Sequence, residues 1–145
     1  MLADTVFQIY VVCSSILVFN LLFLANGTAL TRARNKQVIN DEDKKLNAEA
    51  SVQAIDEGAV ARWRRAHLNA LENILPFLPM GFLLVWTRPS VAVAGALMGA
   101  FTFFRLSHSF CYVKGIQPWR TASFAIAALS LAAMVVVILY KTLTA

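Results

Sequence analysis

Four long apolar stretches follow one another along the chain, separated by polar or turn-forming segments. The first runs without a charged residue from Thr5 to Thr31, which as a helix is long enough to cross roughly 30 Å of hydrocarbon. The pattern predicts four membrane-spanning helices in a single domain, residues 1–145. Their expected bounds are about 5–34, 59–87, 90–114 and 117–143, with a polar connection at about 35–58.

The second stretch does not have the pattern of an inert anchor. Its uncharged part, 73–87, has only 15 residues and is too short to cross a bilayer alone. The helix must therefore extend back through 62–72, where arginines, a histidine and a glutamate occur. At helical spacing Arg65, Asn69 and Glu72 share one face.

The third stretch carries a second polar face. Arg105 interrupts its apolar pattern, and His108 and Tyr112 follow on the same side of the helix. Arg120 then begins the fourth stretch, which is uncharged as far as Tyr140. Because an ionisable side chain in a span costs about 3 kcal/mol on insertion scales, such groups are kept where they pair or line a wet cavity.

Composition and charge distribution agree with a membrane protein. Hydrophobic residues make up 59% of the 145 positions and charged residues 14%, too few charges to cover this much apolar surface in water. Ten Lys and Arg residues flank one side of the predicted bundle, whereas only Arg88 and Lys141 flank the other. This placement indicates that the basic residues contact lipid headgroups and not nucleic acid, and it predicts that the basic connections face the cytoplasm.

Asp4 lies where a signal peptide needs positive charge, so we expect the first span to remain in the mature protein.

The charges inside the spans do not balance. Glu72 is the only acidic residue there, against several arginines. It could simply neutralise Arg65 or Arg105 within the bundle. The positive charge that remains in surplus predicts a missing anion, which a carboxylate- or phosphate-bearing ligand would supply.

The histidines allow another interpretation. His67 and His108 could ligate haem or a metal across two helices, and a small haem-binding or transport protein is then an alternative. Cys13 and Cys111 offer no ligand spacing, so the donor set is weak. We therefore expect no metal.

The second helix resembles a family signature. The segment RRAHLNALEN (64–73), followed by ILPF (74–77), is similar to that of the MAPEG family, the membrane-associated proteins in eicosanoid and glutathione metabolism. The resemblance covers nearly the whole chain and is greatest to the microsomal prostaglandin E synthase and microsomal glutathione transferase branch. Further features agree with it: Arg32, the segment 40–43, the spacing of Arg105, His108 and Tyr112, and Pro118 with Arg120.

The resemblance implies a fold, a ligand and an assembly. The fold is an all-α, integral membrane four-helix bundle that assembles as a homotrimer, with glutathione as co-substrate between adjacent subunits near the cytoplasmic side. A hydrophobic electrophile would enter from the bilayer. Glu72 would pair with the ammonium of glutathione. The positions implied to bind glutathione are Arg32 of a neighbouring subunit, Arg65, His67, Asn69, Glu72, Arg105, His108, Tyr112 and Arg120.

Arg120 and Thr121 are the residues that the resemblance implies in catalysis. A free thiol near pH 7 is mostly protonated, and only the thiolate attacks electrophiles. A guanidinium close to the sulfur favours the charged form, and the hydroxyl of Thr121 could donate a hydrogen bond to it.

Two departures from the prostaglandin synthase pattern bear on the activity. Leu68 stands where that enzyme carries an arginine, and Phe124 where it carries a tyrosine. We therefore expect a membrane glutathione transferase acting in detoxification, on hydrophobic electrophiles or lipid hydroperoxides, in a bacterial inner membrane or the endoplasmic reticulum. A prostaglandin E synthase-like isomerase is one alternative. A non-catalytic lipid-binding scaffold of the same fold is another, which the charged set of Arg65, Glu72 and Arg120 disfavours.

Overall fold

A computed structural model describes residues 4–45 and 48–144 of the chain and confirms the four-helix architecture. The four α-helices of this part are each long and apolar enough to cross a membrane. The homotrimer stays a prediction. The helices are α1 (Thr5–Arg34), α2 (Gly58–Trp86), α3 (Val91–Lys114) and α4 (Trp119–Leu143).

Successive helices run antiparallel, so the two polar faces meet at one end of the bundle. Near this end α1 lies against the start of α2, where a Cβ on Gly27 would clash with the ring of Trp63. Glycine at this position therefore allows close helix contact. At the other end the hydroxyl of Tyr10 donates to the Leu78 carbonyl at 3.0 Å. We call the end that holds the C-terminus of α1 and the N-terminus of α2 the polar end.

Aromatic and polar contacts join the helices in the interior. Phe77 of α2 stacks on Phe101 of α3, with ring centroids 4.5 Å apart. Asn20, buried in the middle of α1, donates to the hydroxyl of Ser109 in α3 at 3.0 Å. A polar side chain in a span is satisfied by such an interhelical hydrogen bond, because the surrounding lipid offers no partner.

The connection between α1 and α2 has more structure than the pattern indicated. Two short strands, β1 (Gln37–Val38) and β2 (Ser51–Val52), pair in parallel, with a 3-10 helix at Asp41–Lys45 between them. Strands of two residues have no periodicity that a sequence could show. The pairing folds the connection back over the C-terminal end of α1, and Asp56 approaches two arginines of the polar end.

The turn between α3 and α4 brings Arg120 back towards α3. Gly115 ends α3 with a φ of 73°, a left-handed conformation that glycine adopts at little cost. The Gln117–Pro118 peptide bond is cis, and α4 begins at Trp119. Because the turn is this short, α4 packs along α3 and its first residues lie beside the last two turns of α3.

Candidate functional site

Three of the expected site residues form one cluster where α3 meets α4. The Nδ1 atom of His108 lies 2.8 Å from the carbonyl oxygen of Arg120, and since a carbonyl only accepts, Nδ1 carries the proton. The rings of His108 and Tyr112 meet edge to face with centroids 5.6 Å apart. The guanidinium of Arg120 lies over the Tyr112 ring, 4.8 Å from its centroid, which is a cation–π contact.

Gln117 extends this cluster to Thr121. The Thr121 hydroxyl and the Gln117 carboxamide are 3.1 Å apart. With the amide oxygen turned to Arg120, it accepts from Nε at 3.1 Å while the amide nitrogen donates to Thr121. The sequence analysis did not single out Gln117, although its spacing of three and four residues to Arg120 and Thr121 is a helical one.

Arg105 lies inside the bundle and not on its surface. It is 0% exposed, and its Nη2 donates to the backbone oxygen of Asn69 at 3.1 Å and to its side-chain oxygen at 2.9 Å. Its Nε and Nη1 have no partner among the described residues. The alternative that Glu72 neutralises Arg105 within the chain is therefore wrong, and Arg105 instead ties α3 to α2.

Arg65, Glu72 and His67 face away from the chain's own interior. The side chains of Arg65 and Glu72 are exposed, and His67 is half-buried. Within the described ranges none of the three side chains makes a hydrogen bond or ion pair. Charges on the outer face of a membrane-spanning helix are costly unless something meets them, so this face of α2 requires water, a ligand or another copy of the chain.

Arg32 is held by the chain's own carboxylate. Its guanidinium makes a bidentate ion pair with Asp56, with the closest contacts at 2.9 Å, and Arg64 reaches the same carboxylate at 3.4 Å. The Asp56 side chain is only 5% exposed. The sequence analysis missed Asp56. An acidic residue just before an arginine-rich helix start is the signal that could have found it.

Asp56→Asn should lower the free energy of unfolding by about 2 kcal/mol, because it removes the charge that two arginines share. Thermal melting in detergent, followed by circular dichroism, measures the shift. Asp41→Asn is the matched control, since Asp41 pairs with Lys44 while 85% exposed and such pairs contribute little. Equal melting temperatures for the two variants would show that the Arg32–Asp56 pair does not stabilise the fold.

No group of three or more histidine, cysteine or acidic side chains within residues 4–45 and 48–144 could hold a metal ion. Cys13 and Cys111 are free and buried. The positively charged and hydrogen-bonding groups at the polar end instead form a surface suited to an anionic organic ligand.

Comparisons with known proteins agree on one family. The sequence model of the MAPEG family matches residues 10–140, a range that contains all the expected site residues. Microsomal glutathione S-transferase 1 of Mus musculus is 35% identical over 117 residues, 77% of this chain and 74% of the relative. The Homo sapiens protein of that name is 34% identical over 127 residues, 83% and 81% of the two chains. Prostaglandin E synthase of Homo sapiens is 31% identical over 133 residues, 91% and 87% of the two.

Proposed function

Because this chain belongs to the MAPEG family, we propose that it is a membrane-bound glutathione transferase, which activates the thiol of glutathione for attack on hydrophobic electrophiles or lipid hydroperoxides. The transferase and synthase relatives support an enzyme in a multi-pass membrane protein. The observation that carries the finer proposal is the guanidinium of Arg120. It rests on Tyr112 and has no carboxylate partner among the described residues.

Arg120 acts on the thiol. Its charge stabilises the thiolate relative to the thiol, so more of the bound glutathione is ready to react at neutral pH. Thr121 adds a hydrogen bond to the sulfur. The thiolate then attacks the electrophilic carbon and the leaving group departs.

The outer face of α2 holds the rest of glutathione. Glu72 pairs with its ammonium, while Arg65 and His67 bind its carboxylates. These groups are open on the surface of a single chain, which supports a site completed between copies in a homotrimer. We place it on the cytoplasmic side, where the basic connections lie.

Three other residues assigned to glutathione are already engaged within the chain. Asn69 accepts both hydrogen bonds from Arg105, so these two residues contribute by fixing α2 against α3 beneath the site. Arg32 is paired with Asp56, so it binds a glutathione carboxylate in a neighbouring subunit only by sharing or leaving that partner.

The surroundings of His108 favour a general transferase over a prostaglandin isomerase. The ring centroids of Phe124 and His108 are 5.7 Å apart. Phe124 supplies no hydroxyl to a thiol bound there. Leu68, which is 44% exposed, adds no cation for a carboxylate.

Turnover by the solubilised protein tests the proposal. We expect conjugation of a chlorodinitrobenzene-type electrophile and reduction of a lipid hydroperoxide, with a slower reaction on a prostaglandin endoperoxide. Rapid isomerisation of the endoperoxide without conjugation would support the prostaglandin synthase alternative and contradict the transferase. No turnover of any of the three would contradict both.

The aromatic ring of Tyr112 should contribute more to turnover than its hydroxyl does. Tyr112→Phe keeps the face under the guanidinium and should retain turnover within about threefold, whereas Tyr112→Leu should lose about tenfold because the cation–π contact is worth about 1.4 kcal/mol. Initial rates at saturating glutathione make the comparison. If leucine works as well as phenylalanine, Tyr112 does not position Arg120.

A further inference from the structure

A long groove lies on the outside of the bundle between α1 and α3. It has a volume of about 580 Å³, within the range of small-molecule sites. The hydrogen-bonded pair of Asn20 and Ser109 lies along it. The apolar residues that line it are Ile16, Phe19, Phe23, Trp63, Leu106, Phe110 and Val113.

The groove ends at Lys114, and a second basic side chain, Arg62, lies nearby at the polar end. Lys114 lines it directly. The guanidinium of Arg62 lies against the next residue, since a Cβ on Gly115 would be 2.9 Å from its Nη1. Both side chains are exposed, and in the part of the chain that the structure describes neither has a recorded carboxylate partner. An anion at this end of the groove would be attracted by Lys114 and by Arg62, which lies against the following residue.

We propose that this groove binds an anionic phospholipid, with its phosphate between Arg62 and Lys114 and one acyl chain along the aromatic side chains. The groove follows α3 from Lys114 to Leu106, about 12 Å along the helix, and so leads from the headgroup level into the hydrocarbon. The basic residues lie on the side that the charge distribution assigns to the cytoplasm, where anionic lipids concentrate.

This site is separate from the proposed catalytic one. His108, Tyr112 and Arg120 do not line the groove. A second copy of the chain is a less suitable occupant, because Glu72 is the only acidic residue that its spans could offer to the two cations.

A second groove on the same molecule provides an internal comparison. It lies between α3 and α4, has a volume of about 530 Å³, and is lined by Phe103, Phe104, Trp119 and Ser123 among others, with no basic residue. Apolar tails should enter both grooves, but only the α1–α3 groove should distinguish an anionic from a zwitterionic headgroup.

Tryptophan quenching by brominated lipids tests both grooves. Trp86→Phe/Trp119→Phe leaves Trp63 in the α1–α3 groove, and Trp63→Phe/Trp86→Phe leaves Trp119 in the other. In vesicles with chain-matched lipids, we expect brominated phosphatidylglycerol to quench Trp63 more strongly than brominated phosphatidylcholine, while Trp119 responds equally to both. Equal quenching of Trp63 by the two lipids would overturn the proposal, as would a Trp63 that neither lipid reaches because a second copy covers it.

Substitutions that remove the charges of Arg62 and Lys114 test whether these residues select the anionic lipid. Arg62→Gln/Lys114→Gln should reduce the relative affinity for phosphatidylglycerol roughly 30-fold, measured by native mass spectrometry of the full chain with equal amounts of the two lipids. Lys44→Gln/Lys45→Gln makes the same change in net charge on the same side and should leave the preference unchanged. A similar loss in both pairs would show only a general effect of charge and would contradict a site in the groove.

Discussion

Arg120→Ala should lower conjugation turnover by on the order of a hundredfold to a thousandfold, as the loss of one charge-stabilising donor does in other active sites, while glutathione still binds. The reason is that Arg120 stabilises the thiolate, whereas the carboxylates and the ammonium are held elsewhere. Stopped-flow absorbance of the enzyme-bound thiolate, together with steady-state rates, separates the two effects. The difference in turnover between Arg120→Ala and the native protein should become smaller as the pH rises, because the thiol then ionises without the charge of Arg120.

Arg120→Lys and Arg34→Ala are the controls for this experiment. Lysine keeps the charge without the planar group that stacks on Tyr112, so it should recover part of the rate. Arg34 is exposed at the end of α1 and its loss should have no effect on the thiolate. Unchanged conjugation in Arg120→Ala would remove Arg120 from the mechanism.

Glu72→Gln should weaken glutathione binding about 30-fold, which corresponds to about 2 kcal/mol for losing one partner of a charge pair. Glu72 is exposed on α2, and the described part of the chain shows no ion pair for it, so its carboxylate is open to the ligand's ammonium. Isothermal titration in detergent measures the dissociation constant.

A double-mutant cycle distinguishes a direct contact from a general loss of charge. An analogue of glutathione without its α-amino group should bind the native protein weakly, and it should bind Glu72→Gln no worse than glutathione does. Glu57→Gln, a matched change just before α2, should bind both ligands as the native protein does. If removal of the amino group weakens binding by the same factor in the native protein and in Glu72→Gln, the proposed pairing is wrong.

The sequence predicted the helices because their apolar stretches are long and are interrupted at only a few places. It also indicated that His108 and Tyr112 share a helix face, and the family resemblance implied that Arg120 belongs to the same site. Which helix a face meets is not contained in the spacing within that helix. The contact of Arg105 with Asn69 depends on how α2 and α3 pack, and for this reason pairing with Glu72 was equally consistent with the pattern.

The polar connection could be predicted least. Its strands β1 and β2 have two residues each and no hydrophobic face. Asp56 becomes important only because this connection folds back to Arg32. The acidic residue before the arginine-rich start of α2 indicates its pairing with Arg64, but the pairing with Arg32 joins residues far apart in the chain, and periodicity provides no signal for it.

Titration of glutathione into the solubilised protein, repeated in buffers of different ionisation enthalpy, tests the central claim most directly. A site that activates the thiol should give saturable heat and should release a proton as the thiolate forms, so the measured heat should vary with the buffer. No heat at saturating glutathione in any of these buffers would contradict the proposed function. Binding with no proton release at neutral pH would contradict thiol activation by Arg120.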